Sequence, residues 1–240
     1  MHILVTCEHG GNAVPAKYRH LFAGQHEALE SHRGYDAGAL ALARDIAVAF
    51  DTELLYSTQT RLLIDFNRSH KNRRSIFSEF SRQLPISEKQ SLFERDYVPY
   101  RQGVEARIRH AISHQAAVLH LSVHSFTPIL HGKTRTADIG LLYDPARSDE
   151  KAFCRQWRSA LERTGSPYRV KMNYPYLGTS DGLTTHLRRI FDNKHYMGIE
   201  LEVNQKHLTK GGRFRQALHR HLIESLQLAV SETARSRAAS

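Results

Sequence analysis

Met1-His2-Ile3-Leu4-Val5-Thr6-Cys7-Glu8-His9-Gly10-Gly11-Asn12 passes within a few residues from an apolar, β-branched run to a polar, glycine-rich turn. Ile3–Thr6 reads as a first strand. In open α/β sheets ligands bind beyond the carboxyl ends of the strands, where loops deliver side chains into one crevice. Residues 7–12 are therefore where chemistry should gather if the chain has that fold. The two glycines would let the backbone turn sharply and leave room beside His9. A structural histidine in a tight turn would give the same pattern.

Outward from this stretch, short β-rich runs alternate with amphipathic segments, the pattern of an α/β sheet covered on both faces. The expected strands are Ile3–Thr6, Glu53–Tyr56, Arg61–Asp65, Ala117–Val123, Ile139–Tyr143, Tyr168–Met172 and Met197–Val203. The expected helices are Gly34–Phe50, Glu88–Asp96, Tyr100–Ser113, Asp149–Arg163, Gly182–Asp192 and Arg213–Ser231. Pro99 suits a first helical turn, where amides are unpaired anyway. Gly165 reads as a left-handed helix stop, reinforced by Pro167. No repeat or Gly/Ser linker divides the chain, so one domain is expected over residues 1–230. Residues 231–240, SETARSRAAS, read as a disordered tail.

With 240 residues, 40% of them apolar and 24% charged, the composition is that of a soluble globular protein. The most apolar stretch, Ala37–Phe50, is broken by Arg44 and Asp45, so no membrane span is expected. The N-terminus lacks a basic-then-apolar export pattern, which points to the cytoplasm. Cys7 and Cys154 offer no disulfide framework. A Cys7 nucleophile assisted by His9 is the minor alternative that this pair leaves open. The net charge of +10 raises nucleic acid as a partner. The charge is scattered, however, and its densest run, Lys71-Asn72-Arg73-Arg74, lacks aromatics for base stacking. A small anionic substrate fits the basic surface better.

The remaining polar clusters also fall at expected strand ends. His120, Ser122 and His124 share one face of the run Ala117–Val123 and its continuation, and a polar face in a buried strand requires partners. A metal would satisfy it, as would an ordinary core network. Asp36, in His32-Arg33-Gly34-Tyr35-Asp36, reads either as a helix cap or as the carboxylate completing two histidines in the three-ligand, open-position set of catalytic zinc. Glu200 and Glu202 line one face of the last strand. Near a metal, one could serve as general base, its pKa raised by the other. Asn67 and Arg68, and Arg188 further on, could clamp a carboxylate through planar, paired hydrogen bonds. Each arginine could equally be a salt-bridge partner.

Together CEHGGNAVP, HRGYDAGA, RLLIDFNRS, VHSF, IGLLYD, GTSDGLTTHLR and GIELEVNQ resemble the ordered motifs of the N-formylglutamate amidohydrolase family, from Met1 to about Leu208. That family is similar in fold to the zinc carboxypeptidases, so the resemblance implies a three-layer α/β/α, phosphorylase/hydrolase-like domain with a mixed central sheet. It implies zinc or another divalent metal on His9, Asp36 and His124, with Glu202 as catalytic carboxylate and Glu200 its rival. Arg68 resembles the residue holding the substrate's carboxylate. Carboxypeptidases place a glutamate three positions after the first histidine, whereas this chain has Asn12. The implied activity is hydrolysis of N-formyl-L-glutamate to formate and glutamate. The alternatives are a relaxed N-acyl amino acid deacylase, a carboxypeptidase-like hydrolase, or a non-catalytic binder of small anions or nucleic acid.

Overall fold

In the computed structural model the described residues are 1–69 and 73–238. The strands are β1 (His2–Cys7), β2 (Leu54–Tyr56), β3 (Val118–Phe126), β4 (Ile129–Leu130), β5 (Lys133–Thr134), β6 (Ile139–Leu142), β7 (Val170–Met172) and β8 (Tyr196–Asn204). The α-helices are α1 (His26–Glu30), α2 (Ala39–Ala49), α3 (Arg73–Ile76), α4 (Ile86–Leu92), α5 (Val98–Ser113), α6 (Ser148–Arg163), α7 (Leu183–Leu187) and α8 (Gln216–Ala238).

Six strands form one sheet in the order β2-β1-β3-β8-β6-β7. The first four are mutually parallel, and β6 joins β8 in the antiparallel sense, so the sheet is mixed. β4 and β5 form a small hairpin between β3 and β6. Parallel strands buried on both faces need apolar residues on both, and the sequence supplies them up to a limit. On one face Val5, Leu121, Val123, Ile199, Leu201 and Val203 pack beneath α2, α6 and α8. On the other, Leu4, Val118 and Tyr196 pack beneath α5 and α7. Further along β3 and β8 that second face turns polar, with His120, Ser122, His124, Glu200 and Glu202 at successive same-face positions. The apolar half carries the helices, and the polar half opens the crevice.

Several expected boundaries shift for identifiable reasons. Arg61–Asp65 is not a strand: Leu63 and Ile64 donate to the carbonyl of Thr60 in turns. Its apolar residues are buried in a separate cluster with Tyr18, Phe77, Leu92 and Tyr97. α2 begins only at Ala39, because Gly38 adopts φ 80° as its cap while residues 34–37 run across the top of β1. α4 runs through a π-helical turn, Phe93–Tyr97, into α5, just where Pro99 cannot supply an α-helical amide. α7 stops at Leu187, short of Asp192. Gly165 has the positive φ expected of a helix stop.

The segment expected to be a disordered tail is instead helical as far as Ala238. Glu232 accepts from Gln156 and Arg163, and Arg237 donates to Asp149, so polar residues that looked merely solvated tie α8 to α6. In the basic run, Lys71 and Asn72 lie outside the described residues. Cys7 and Cys154 are free and buried. Burial pushes the Cys7 thiol pKa far up, assisted by the Glu8 charge, which removes Cys7 as a nucleophile. No helix among the described residues is long and apolar enough to cross a membrane.

Candidate active site

β1 ends one residue before Glu8, and the chain then turns alongside the backbone of residues 57–58. A Cβ on Gly10 would lie 2.9 Å from the carbonyl oxygen of Ser57, and one on Gly11 would lie 2.7 Å from that of Thr58. The two glycines thus serve this close backbone approach, which aims His9 over the sheet, rather than making space for a ligand. The amide of Asp36 donates to the carbonyl of His9 at 2.9 Å, and Ser125 Oγ holds the carbonyl of Ala37 at 2.8 Å. These bonds stitch the 34–37 segment between β1 and β3. Asp36 consequently does not cap α2; its side chain turns into the crevice.

His9, Asp36 and His124 are all buried and each offers an atom within 4.8 Å of the others. His9 Nδ1 lies 3.5 Å and His124 Nδ1 2.8 Å from Asp36 Oδ2, and the two rings are 5.1 Å apart between centroids. The opposite nitrogens are occupied. His9 Nε2 donates to Asp65 Oδ1 at 2.7 Å, and His124 Nε2 meets Ser122 Oγ at 2.9 Å and Glu8 Oε2 at 3.1 Å. Glu8 in turn accepts from Ser122 Oγ at 2.6 Å and from the Tyr100 hydroxyl at 3.0 Å. Asp36 Oδ1 is held by Arg61 in a close ion pair, leaving Oδ2 to the histidines.

This pattern orients both imidazoles with Nδ1 inward. His9 Nδ1 is buried with no hydrogen-bond partner among the described residues. Burial, with the nearby Arg61 charge, lowers the His9 pKa to about 4, so the ring is neutral and presents a lone pair at Nδ1. Burial alone would also lower that of His124, but the hydrogen bond and charge of Glu8 outweigh it and raise the pKa. An orphaned imidazole nitrogen, a second imidazole and a carboxylate oxygen converging on one point fit a divalent cation. Histidine–carboxylate pairs behind them supply the orienting contacts such sites use.

Glu202 sits beside this cluster, paired in register with His124. Its Oε2 is buried and has no hydrogen-bond partner among the described residues. Burial, reinforced by Glu200 and opposed by His124, pushes its pKa up to about 7. Glu200 differs: Thr184 Oγ1 donates to its Oε1 at 2.6 Å. Gly140, opposite Glu202 on β6, is glycine because a Cβ there would fall 1.8 Å from the carbonyl oxygen of Tyr174.

His9, Asp36, His124, Glu200 and Glu202 line one cavity of about 240 Å³, together with Asn67, Arg68, Arg135, Tyr176 and Asp181. Asn67 and Arg68 reach it as expected, although each also shapes the loop beyond. Asn67 Oδ1 accepts from the amide of Leu183 at 2.7 Å, and Arg68 Nη1 donates to the carbonyl of Asp181 at 2.7 Å. Arg188 does not reach the cavity. Its Nε donates to both oxygens of buried Glu150, at 3.0 and 3.1 Å, and its Nη2 to the carbonyl of Gly198 at 2.6 Å. It fastens α7 to β8 and α6, so its expected place in a substrate clamp is corrected.

The orienting residues Asp65, Glu8 and Arg61 escaped the sequence reading. A clue was present for Glu8, since a carboxylate at the mouth of a buried strand needs a partner. If Asp65 fixes the His9 tautomer, Asp65→Asn should weaken divalent-ion binding about 10- to 100-fold with the fold intact. Titration of the chelator-stripped variant with Zn²⁺ measures this, and unchanged affinity would remove Asp65 from that role.

A family model described as N-formylglutamate amidohydrolase matches residues 1–208. Among solved structures, a gene product of Agrobacterium tumefaciens is similar with a TM-score of 0.81 and 26% identity, over 97% of this chain and 91% of that one. An N-formylglutamate amidohydrolase from Ralstonia eutropha JMP134 is similar with a TM-score of 0.72 and 18% identity, over 99% and 94%; at that identity the likeness speaks to the fold alone. No curated protein shows a significant match.

Proposed function

The chain belongs to the N-formylglutamate amidohydrolase family, and from that premise we propose that it hydrolyses N-formyl-L-glutamate to formate and glutamate, with a divalent metal ion held by His9, Asp36 and His124. The observation that carries this reading is the buried Glu202 carboxylate, whose Oε2 has no hydrogen-bond partner among the described residues, beside a His–Asp–His cluster in which His9 Nδ1 likewise has none. A carboxylate costs free energy when buried without partners, so its retention at that position supports chemistry rather than packing. When bound, the cation supplies Lewis acidity, polarising an amide carbonyl and acidifying water; two histidines and a carboxylate are a ligand set of catalytic zinc.

The protein's own groups do the rest. Glu202 Oε2 takes a proton from the water that adds to the formyl carbon and delivers it to the amide nitrogen as the C–N bond breaks, leaving formate and the free amine. Burial pushes the Glu202 pKa up to about 7 without an ion, and a bound cation would draw it back toward the ordinary carboxylate range, so the group is ionised and ready to accept the proton at neutral pH. Arg68 and Asn67 receive the α-carboxylate, converting binding into orientation of the amide. Asp65 and Glu8 hold the imidazoles in place, and Arg61 holds Asp36.

Hydrolysis of N-formyl-, N-acetyl- and N-succinyl-L-glutamate, assayed with and without added Zn²⁺, Mn²⁺ or Co²⁺, tests the reading through release of free L-glutamate, with formate as the second product of the first compound. The formyl substrate is expected to lead the acetyl one by at least about tenfold, the order that one extra carbon commands in a small pocket. No turnover with any of the ions would end the proposal. Equal turnover of all three would replace it with a relaxed deacylase.

A further inference from the structure

With Arg188 tied to Glu150, the substrate's second carboxylate lacks its expected partner, and the cavity offers another. Three arginines line the cavity: Arg61, Arg68 and Arg135. Arg61 already has a carboxylate, Asp36, on its Nη2, although its Nε is unpartnered among the described residues, and Arg68 has Asp65 at 3.7 Å and the carbonyl of Asp181. Arg135, at the foot of the β4–β5 hairpin, has no carboxylate partner among the described residues.

It is nonetheless held. Its amide donates to the carbonyl of Pro128 at 2.8 Å, and its carbonyl accepts from Asn204 Nδ2 at 3.2 Å, which anchors the backbone to the ends of β3 and β8. Its guanidinium carbon lies 5.6 Å from the Phe126 ring centroid and 5.1 Å from that of Tyr176. Nη2 donates to the Tyr176 hydroxyl at 3.1 Å and Nη1 only reaches the carbonyl of Thr127 at 3.5 Å. A fork of five donors is therefore fixed in orientation by aromatic rings while most of its capacity is unspent. A cation built to close a structural ion pair would have found one of the cavity's carboxylates. A cation pre-organised and left open is the arrangement that binds a planar anion at low entropic cost.

We propose that Arg135, steadied by Phe126 and Tyr176, receives the side-chain carboxylate of the substrate and so makes the site selective for N-acyl dicarboxylic amino acids over their neutral analogues. This rests on the amidohydrolase reading, with Arg68 taking the α-carboxylate.

The test compares N-formyl-L-glutamate with N-formyl-L-glutamine, which differs only in replacing the side-chain carboxylate by an amide, using metal-loaded wild-type protein and Arg135→Gln. The wild type should prefer the glutamate compound by a kcat/KM ratio on the order of 100, as expected for one charge-assisted, two-pronged contact. In Arg135→Gln that ratio should fall to within about threefold of unity, with the loss carried by KM. An unchanged ratio, or equal losses on both substrates, would overturn the assignment. Calorimetric binding of the products, L-glutamate and L-glutamine, gives a readout free of turnover. A preference for L-glutamate that closes in the variant supports the clamp even if no hydrolysis is seen, in which case only the amidohydrolase reading fails. Wild-type protein that does not distinguish the two products overturns the clamp.

Discussion

Glu202→Gln is expected to lower kcat by about 10²- to 10⁴-fold while the protein still binds one equivalent of Zn²⁺, because the substitution removes a proton carrier and leaves the three converging donors untouched. Glutamine keeps the shape of the side chain but cannot accept and return a proton. Asp36, His9 and His124 have their own orienting partners, none of which is Glu202. The loss should therefore fall on kcat, with KM for N-formyl-L-glutamate within a few-fold of wild type. A variant retaining more than a tenth of wild-type activity would assign the proton transfer to another group, with Glu200 the first to try.

The same residue gives the experiment a second axis. A carboxyl whose pKa is displaced from 4.5 to about 7 in the folded protein favours folding only while protonated. That contribution is fully present below pH 4.5 and is lost as the pH rises through about 7. Ion-free Glu202→Gln should then be more stable than ion-free wild type at pH 8, by at most roughly 3 kcal/mol, and no more stable near pH 4. For catalysis the sign reverses, since the base must be ionised. Wild-type kcat/KM should climb with pH through a midpoint above 4.5 and not beyond about 7, a bound cation pulling it toward the lower figure.

The parts of the site legible in the sequence are those set by strand periodicity. His124 and Glu202 project from the same face because β3 and β8 are regular, and their registry follows from parallel pairing of two runs of nine residues. His9 could be placed because it follows a strand end. What pairwise packing between distant segments decides was not legible. Arg188 looked like any other arginine after a loop. Its commitment depends on Glu150, which sits in the first turn of α6, where a glutamate is ordinarily a solvated partner of the helix dipole, yet is fully buried here. Asp65 lay inside a run that resembled a strand, so its side chain seemed destined for a sheet face; the run is a turn, and the turn delivers the carboxylate to His9. Arg135 follows a hairpin too short to register as alternation. The helical extension of α8 rests on Glu232 and Arg237 meeting α6, contacts that a local count of polar residues cannot reveal.

Stripping the divalent ion with a chelator is expected to abolish hydrolysis and to lower the thermal midpoint, both restored by adding Zn²⁺. An ion present at about a thousand times its dissociation constant adds ~4 kcal/mol to folding, which for a chain of this size is a shift of roughly 8 to 16 °C. The structure indicates how that gain should depend on pH. Without an ion, His124 Nδ1 faces Asp36 Oδ2 at 2.8 Å, a contact that attracts when Nδ1 carries a proton and is strongest for the charged imidazolium. Because the Glu8 hydrogen bond and charge raise the His124 pKa above the ordinary 6.5, the stabilisation that comes with its protonation is complete below pH 6.5 and disappears as the pH rises through the folded value. Above that value the His124 ring is neutral and His9 Nδ1 has no hydrogen-bond partner among the described residues, so the stripped protein is at its weakest while the cation meets less competition from protons. The Zn²⁺-induced rise in thermal midpoint should therefore be larger at pH 8.5 than at pH 6. A gain independent of pH would mean that the ion binds elsewhere, and the absence of any gain, with activity unaffected by chelation, would remove metal chemistry from the site.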